Sequence, residues 1–216
     1  YKAGCRNGVA VVSDGRRILL DPVMAGDEPY LIAMSLPGIP VIIGKDRFKA
    51  CLLARRQFRA EIAILDDAFQ HIPLERDLDV LLLDAERALG NGRLLPAGPL
   101  REPAASLARA DMIVFTKAGK PDTHRVPEVV AKKAGEKPLF FSYYEPVGLR
   151  DPADWSIRPV DEIRGEKVVA FCGIANADSF FRMVEKVGAR ISAALEFEDH
   201  HVYDEGDIKK IREISA

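Results

Sequence analysis

The sequence lacks the features that define several large classes of protein. No apolar run approaches the roughly 20 residues that a bilayer-spanning helix needs, and the first residues do not have the order of a signal peptide. The three cysteines, Cys5, Cys51 and Cys172, are scattered without C-x-x-C spacing, which argues against a zinc site or a disulfide framework. A formal net charge of -2 gives no reason to expect nucleic acid as a partner. We therefore expect a protein of the reducing cytoplasm that is not an integral membrane protein.

Short apolar runs rich in Val, Ile and Leu alternate with helical patterns along the chain. Because these runs are continuous, they predict strands that are covered on both faces. The predicted strands are residues 9–12, 40–43, 62–65, 78–83, 112–116, 139–141 and 168–171. Apolar spacing predicts helices over residues 46–58 and 126–134, and a proline near a helix start marks residues 101–110. This order predicts an α/β fold with a mostly parallel, doubly wound sheet.

The alternation breaks between residues 142 and 164, which contain the only tryptophan of the chain. We interpret this stretch as a linker with a short hairpin. A strand, a glycine turn and a helix follow, with Asn176 or Asp178 as the helix cap and Gly188 near the helix end. The predicted domains are a core over residues 1–142, a linker or hairpin over 143–165, and the beginning of a second, smaller α/β domain over 166–216.

The stretch ILDDAFQH places two adjacent aspartates directly after a predicted buried strand. Ligands of open parallel sheets bind beyond the carboxyl ends of strands, where Asp66 and Asp67 are expected. Neighbouring carboxylates repel each other unless a cation lies near, and Mg²⁺ is usually held by one or two carboxylates together with phosphate oxygens. The alternative is that one aspartate only caps the next helix. Gln70 and His71 add little weight, because a lone histidine is more often structural.

Three further segments carry candidate chemistry. Asp27, in AGDEPYLIA, is either a plain helix cap or a base that accepts a hydroxyl proton. Residues 90–103, rich in glycine and proline, predict a rigid loop whose amides, with Arg93 and Arg101, are available to an anion. Residues 199–201 are an aspartate and two histidines, which indicate a base with its orienting partner or a helix-cap cluster. A metal site is less favoured there, because no further ligands follow at metal spacing.

Together the motifs resemble those of the tetraacyldisaccharide 4'-kinases, which phosphorylate the lipid A precursor of Gram-negative bacteria. The matching stretches, in family order across nearly the whole chain, are GDEPYLIA, GKDRFKA, ILDDAFQH, RDLDVLLLD, GNGRLLPAGPLREP, FCGIANADSFF and DHHVYDEGD. The resemblance implies a fold of P-loop NTPase type. It implies transfer of the γ-phosphoryl group of ATP, with Mg²⁺, to the 4'-hydroxyl of a tetraacylated glucosamine disaccharide 1-phosphate. It also implies a peripheral position at the cytoplasmic face of the inner membrane.

The resemblance assigns roles to single residues. Asp27 matches the base near the acceptor hydroxyl, and His200 matches its partner from the second domain. The nucleotide-binding positions are Asp66, Asp67, Gln70 and His71, and the two aspartates also bind the metal. The substrate-binding positions are Arg47, Asn91, Arg101 and Glu102.

The sequence also departs from the family pattern. A phosphate loop of the form G-x-x-x-x-G-K-[ST] is absent from these 216 residues, and the resemblance places it ahead of Tyr1, with more of the second domain beyond Ala216. Ala68 stands where glycine is the more frequent residue. Two other functions stay open: a nucleotide- or glycolipid-binding remnant without catalysis, and a metal-dependent phosphoesterase that uses Asp66, Asp67 and His71.

Overall fold

The computed structural model of the protein describes residues 8–118 and 126–215. Tyr1, Cys5 and Ala216 lie outside the described residues. The chain divides into two units, Tyr1–Ser142 and Tyr143–Ala216. No helix within the described ranges is both long and apolar enough to cross a membrane.

The first unit begins with two strands and the helices that pack on them. These elements are β1 (Val9–Asp14), α1 (Pro22–Ala25), α2 (Asp27–Ser35), β2 (Pro40–Gly44) and α3 (Arg47–Phe58). Val12, Ala25, Ala33 and Ile43 are buried together as a small core. Asp46 caps α3 by accepting a hydrogen bond from the main-chain N–H three residues on, which satisfies one of the free donors of the first turn.

The parallel pairing predicted for most of the sheet does not extend to these two strands. β1 and β2 pair antiparallel and form a sheet of their own. Their ladder is irregular between Val11 and Ser13, and Val12, which lies between them, is completely buried. A continuous apolar run predicts that a strand is covered, but it carries no information about the direction of the neighbouring strand.

The rest of the first unit is built on a parallel sheet. Its elements are β3 (Val80–Asp84), a 3-10 helix (Ala104–Arg109), β4 (Met112–Thr116), α4 (Glu128–Ala134) and β5 (Leu139–Phe141). The strand order is β3-β4-β5, and both pairings are parallel, as the alternation of strands and helices along the sequence predicts. Ile113 and Phe115 of β4 are buried with Leu107 and Val130 from the helices. The Phe115 ring stacks on Phe141 with 5.2 Å between ring centres.

The strand predicted at residues 62–65 is wrong. These residues belong to no strand in the described part of the chain. Ile62 is 82% exposed and Ile64 is 95% exposed, so neither ladder hydrogen bonds nor burial stabilises a regular strand here. Asp66 and Asp67 therefore follow an irregular segment instead of the carboxyl end of a core strand.

The second unit contains a hairpin followed by a parallel pair of strands. Its elements are β6 (Leu149–Arg150), β7 (Ile157–Arg158), a 3-10 helix (Val160–Ile163), β8 (Lys167–Cys172), α5 (Ala177–Lys186), β9 (Arg190–Glu196) and α6 (Glu205–Ser215). The predicted hairpin is confirmed by β6 and β7, and the Arg150 guanidinium lies 5.6 Å from the ring centre of Trp155. Asn176 is confirmed as the cap of α5. The prediction missed β9, because its residues alternate between exposed and half-buried.

Candidate active site

An exposed ion pair joins the DDAFQH segment to the segment that ends the glycine- and proline-rich loop. Arg101 Nη1 donates a hydrogen bond to Asp67 Oδ1 at 2.6 Å. The two side chains are 59% and 62% exposed, so the pair contributes little to stability. Asp67 has a φ of 47°, a left-handed conformation that aspartate tolerates better than most residues. Two predicted site residues are thereby brought together.

A second contact between the same segments is less exposed. Arg109 binds the carboxylate of Glu102 with two hydrogen bonds, Nη1 to Oε2 at 2.7 Å and Nη2 to Oε1 at 3.0 Å. Nη2 of Arg109 also donates to the main-chain carbonyl of Phe69 at 3.1 Å. Chiefly because of Arg109, and to a lesser extent because of Ser106 and Gln70, the pKa of Glu102 lies below its ordinary value. Glu102 is therefore a charged acceptor held by Arg109.

The chain around His71 is held by another arginine. Arg76 pairs with Asp79, Nε to Oδ1 at 2.7 Å and Nη2 to Oδ2 at 3.0 Å. Its Nη1 donates to the main-chain carbonyls of His71 at 2.6 Å and Leu74 at 2.8 Å. The side chains of this pair are only 13% and 18% exposed, and the hydrogen bond to Asp79 raises the pKa of Arg76. The main chain that follows the two aspartates is thus fixed at His71 and Leu74.

The loop over residues 90–103 is packed against itself. Asn91 Nδ2 donates to the Ala97 carbonyl at 2.9 Å, and Asn91 Oδ1 accepts the Arg93 main-chain N–H at 3.1 Å. A Cβ at Gly98 would overlap with Asn91 Oδ1 and with the Arg93 carbonyl, so only glycine fits there without a shift. In this structure the side-chain amide of Asn91, predicted to bind substrate, braces the loop.

Asp27 and Arg47 lie at the starts of helices. Asp27 is the first residue of α2 and is exposed, whereas the cap position is occupied by Gly26. The interpretation of Asp27 as a plain helix cap is therefore wrong. Arg47 is the first residue of α3, and its Nη1 donates to the Lys45 carbonyl at 3.3 Å.

The two neighbouring histidines of the second unit have different surroundings. His200 Nε2 lies 3.9 Å from Asp199 Oδ2, and these side chains are 65% and 51% exposed. His201 Nε2 lies 2.7 Å from Asp207 Oδ2, and its ring stacks on Phe197 with 4.8 Å between ring centres. The pKa of Asp207 is lowered, above all by His201. His201, which the resemblance does not single out, is therefore a fixed structural partner of α6.

The acidic residues of the first unit fit a metal that is shared with phosphate. In residues 8–118 and 126–215, no three His, Cys, Asp or Glu side chains are grouped to hold a metal ion. Mg²⁺ does not need such a group, because it commonly binds through one or two carboxylates plus substrate phosphates. Asp66 and Asp67 are adjacent and exposed, and they offer oxygen donors only.

Sequence reasoning missed an ion pair at the carboxyl ends of β3 and β4. Lys117 Nζ donates to Asp84 Oδ2 at 3.0 Å, and Asp84 Oδ1 accepts the main-chain N–H groups of Glu86 at 2.9 Å and Arg87 at 3.1 Å. Burial raises the pKa of Asp84, but these hydrogen bonds outweigh it and the pKa is lowered. The motif RDLDVLLLD contained a signal for this site, because it is an apolar run that ends in an aspartate, Asp84. Arg76 opens the same motif, although nothing in the motif indicates its contacts with the main chain, and no comparable pattern marks Arg109.

Known proteins are similar to this chain. A model of the family described as LpxK, tetraacyldisaccharide-1-P 4'-kinase, matches residues 1–216. The tetraacyldisaccharide 4'-kinase of Halothermothrix orenii is 41% identical over 214 residues, which cover 94% of this chain and 56% of that protein. The one of Geobacter sulfurreducens is 40% identical over 219 residues, which cover 100% and 59%. The chain thus spans less than two thirds of the length of these curated relatives.

A solved structure agrees with the sequence comparisons. The crystal structure of the "apo" form of LpxK from Aquifex aeolicus in complex with ATP is similar with a TM-score of 0.73 and 32% sequence identity. The match covers 96% of this chain and 64% of that one, and it confirms the predicted α/β fold of P-loop NTPase type. From its motifs, the family model and this shared fold, the chain belongs to the tetraacyldisaccharide-1-P 4'-kinase family.

Proposed function

We propose that the protein transfers the γ-phosphoryl group of ATP to the 4'-hydroxyl of a tetraacylated glucosamine disaccharide 1-phosphate. The observation that carries this proposal is a pair of contacts between two distinctive family motifs. Asp67 binds Arg101, and Arg109 binds both Glu102 and the Phe69 carbonyl. Phosphoryl transfer depends mainly on positioning and on stabilising charge. Carboxylates and guanidinium groups held at fixed positions serve both needs.

Each candidate residue has a proposed role. Asp66 and Asp67 would hold Mg²⁺, which when bound neutralises charge on the phosphate oxygens. Asp27 would accept the proton of the attacking hydroxyl, since its carboxylate is exposed at the start of α2. His200 is proposed as a second catalytic residue. The proposed nucleotide contacts are Gln70 and His71, and the proposed substrate contacts are Arg47, Asn91, Arg101 and Glu102.

The proposed substrate also suggests where the protein works. A disaccharide with four acyl chains resides in a membrane, because each buried methylene group favours the bilayer. We therefore propose a peripheral enzyme at the cytoplasmic face of the inner membrane of a Gram-negative bacterium.

Transfer of label from γ-labelled ATP to the tetraacylated disaccharide 1-phosphate tests the proposal, with the intact native protein as enzyme. Asp27→Ala should lower kcat by about 100-fold or more, because a positioned base contributes roughly that much. Asp178→Ala is the matched control, since Asp178 is likewise an exposed aspartate in the first turn of a helix, and it should change kcat by less than about 3-fold.

The outcomes separate the candidate functions. Equal activity of the Asp27→Ala and Asp178→Ala proteins would remove Asp27 from the mechanism. Absence of transfer by the well-folded native protein would favour a binding remnant that keeps the motifs without the chemistry. Release of inorganic phosphate from the lipid, without ATP, would instead favour the phosphoesterase.

A further inference from the structure

We infer that Arg109 is a positioning residue of this site, which fixes the segment carrying Asp66 and Asp67 relative to Glu102. The inference rests on the proposed function, because it assigns Arg109 a part in keeping the proposed metal- and substrate-binding groups in register. Arg109 itself lies in the 3-10 helix before β4, outside the motifs that suggested the function.

The hydrogen bonds of Arg109 run to two separate segments. Its guanidinium joins Glu102, seven residues away in sequence, to the carbonyl of Phe69, 40 residues away. The same group lies over the Phe69 ring, 4.5 Å from the ring centre. A planar guanidinium satisfies a bidentate carboxylate, a carbonyl and a ring face in one orientation only. The two segments are therefore fixed relative to each other.

Arg109 is also the anchored partner in this arrangement. Leu107 and Ala110, on either side of it, are 3% and 1% exposed and belong to the core under β4. The main chain at Arg109 is thereby anchored in the core, and the contacts with Glu102 and Phe69 orient the guanidinium. The DDAFQH segment has no strand before it, so it is the part that is held in place.

The ion pair between Arg101 and Asp67 cannot serve the same purpose. Its side chains are 59% and 62% exposed, whereas those of Arg109 and Glu102 are 32% and 20% exposed. Water and salt weaken the exposed pair far more than the sheltered one. Arg101 is accordingly free to exchange Asp67 for a phosphate group, while Arg109 stays where it is.

The local energetics also favour a positioning role. Nε of Arg109 is buried, and it is the only such side-chain atom in the described residues that has no hydrogen-bond partner. A buried donor without a partner is unfavourable, so the contacts of the other two nitrogens, with Glu102 and Phe69, keep the guanidinium in this orientation. Arg76 secures the following residues through the His71 and Leu74 carbonyls, and the two arginines together fix the main chain from Phe69 to Leu74.

The test compares Arg109→Gln and Arg109→Lys in the intact native protein, with Arg164→Gln as control. Arg164 also binds an aspartate, Asp161, through two nitrogens, but this pair is exposed and lies in the second unit. Arg109→Gln should lower kcat by about 10-fold or more while KM for ATP changes by less than about 3-fold, because positioning acts on the chemical step. Arg109→Lys should restore part of kcat, since lysine keeps the charge without the planar fork.

Hydrogen exchange supplies a readout that needs no activity. In Arg109→Gln, amides of residues 66–74 should exchange about 10-fold faster or more, while β3 and β4 exchange as in the native protein. Native kcat in Arg109→Gln, or equal acceleration in β3 and β4, would overturn the inference, because Arg109 would then be dispensable or would only support the fold. If the native protein transfers no phosphate, the proposed function fails, and the exchange pattern alone decides whether Arg109 positions the segment.

Discussion

The ion pair between Asp84 and Lys117 makes a quantitative prediction about the parallel sheet. Asp84 is 26% exposed in its side chain, and it receives hydrogen bonds from Lys117 and from the N–H groups of Glu86 and Arg87. A hydrogen bond to a charged group contributes about 1.5–3 kcal/mol when sheltered. Because water can partly replace the lost contacts, we expect Asp84→Ala to reduce the opening free energy of β3 and β4 by an amount within that range.

The chain offers a matched control for this substitution. Asp14 also ends a strand, and its Oδ1 accepts the N–H groups two and three residues on, each at 2.8 Å. Both donors are main-chain groups, so Asp14→Ala removes the hydrogen bonds of the turn without removing a hydrogen bond from a side-chain cation such as Lys117. The loss measured for β1 and β2 in Asp14→Ala should therefore be smaller than the loss for β3 and β4 in Asp84→Ala.

Native-state hydrogen exchange of the four strands measures these opening free energies directly. A double-mutant cycle with Lys117→Met should give a coupling energy of about 1 kcal/mol between Asp84 and Lys117. A coupling energy near zero, together with equal losses at Asp14 and Asp84, would refute the reasoning, because Lys117 would then add nothing to the turn.

Two further predictions concern other parts of the chain. Gly98→Ala should destabilise the 90–103 loop by about 1–3 kcal/mol, because the new methyl group would overlap with Asn91 and Arg93. Limited proteolysis should then show faster cleavage in the loop. Unchanged cleavage would show that the loop accommodates the methyl group. Acid should destabilise α6, because His201 lowers the pKa of Asp207 in the folded state. The contribution of ionised Asp207 to folding stability is fully present above about pH 4, its unfolded pKa, and is lost as the pH falls through the lower pKa of the folded state. In Asp207→Asn, thermal unfolding followed by circular dichroism should lose this acid-range dependence, and a native-like dependence would exclude the pair as its cause.

The sequence predicted correctly those elements that are determined by residues close together in the chain. The strands β4 and β5 coincide with their predicted apolar runs, and Asn176 caps α5 by accepting the N–H of Ser179. In each case the residues themselves contain the reason for the structure: an apolar run that forms a strand, or a side-chain acceptor three residues before a donor. The predicted cover on both faces is wrong for β5, where Phe140 is 51% exposed.

Features that depend on a distant partner could not be predicted in this way. Ile62 and Ile64 form an apolar run as good as that of β4, but 82% and 95% of their surfaces are exposed, because a strand also requires a neighbour. The link from Arg109 to Phe69 spans 40 residues, and no short pattern encodes it. The resemblance named the motifs of the site, whereas the groups that hold them together emerged only from the structure.

The hairpin of β6 and β7 carries the residue that tryptophan fluorescence would report on. Trp155 is the only tryptophan of the chain, it belongs to the second unit, and it is 53% exposed. Tryptophan emission is therefore a reporter of the second unit, with no such chromophore in the first. Since the Arg150 guanidinium lies beside the indole, its positive charge favours collisions with anionic quenchers such as iodide over cationic ones such as caesium. Titration with the two quenchers can therefore follow this hairpin.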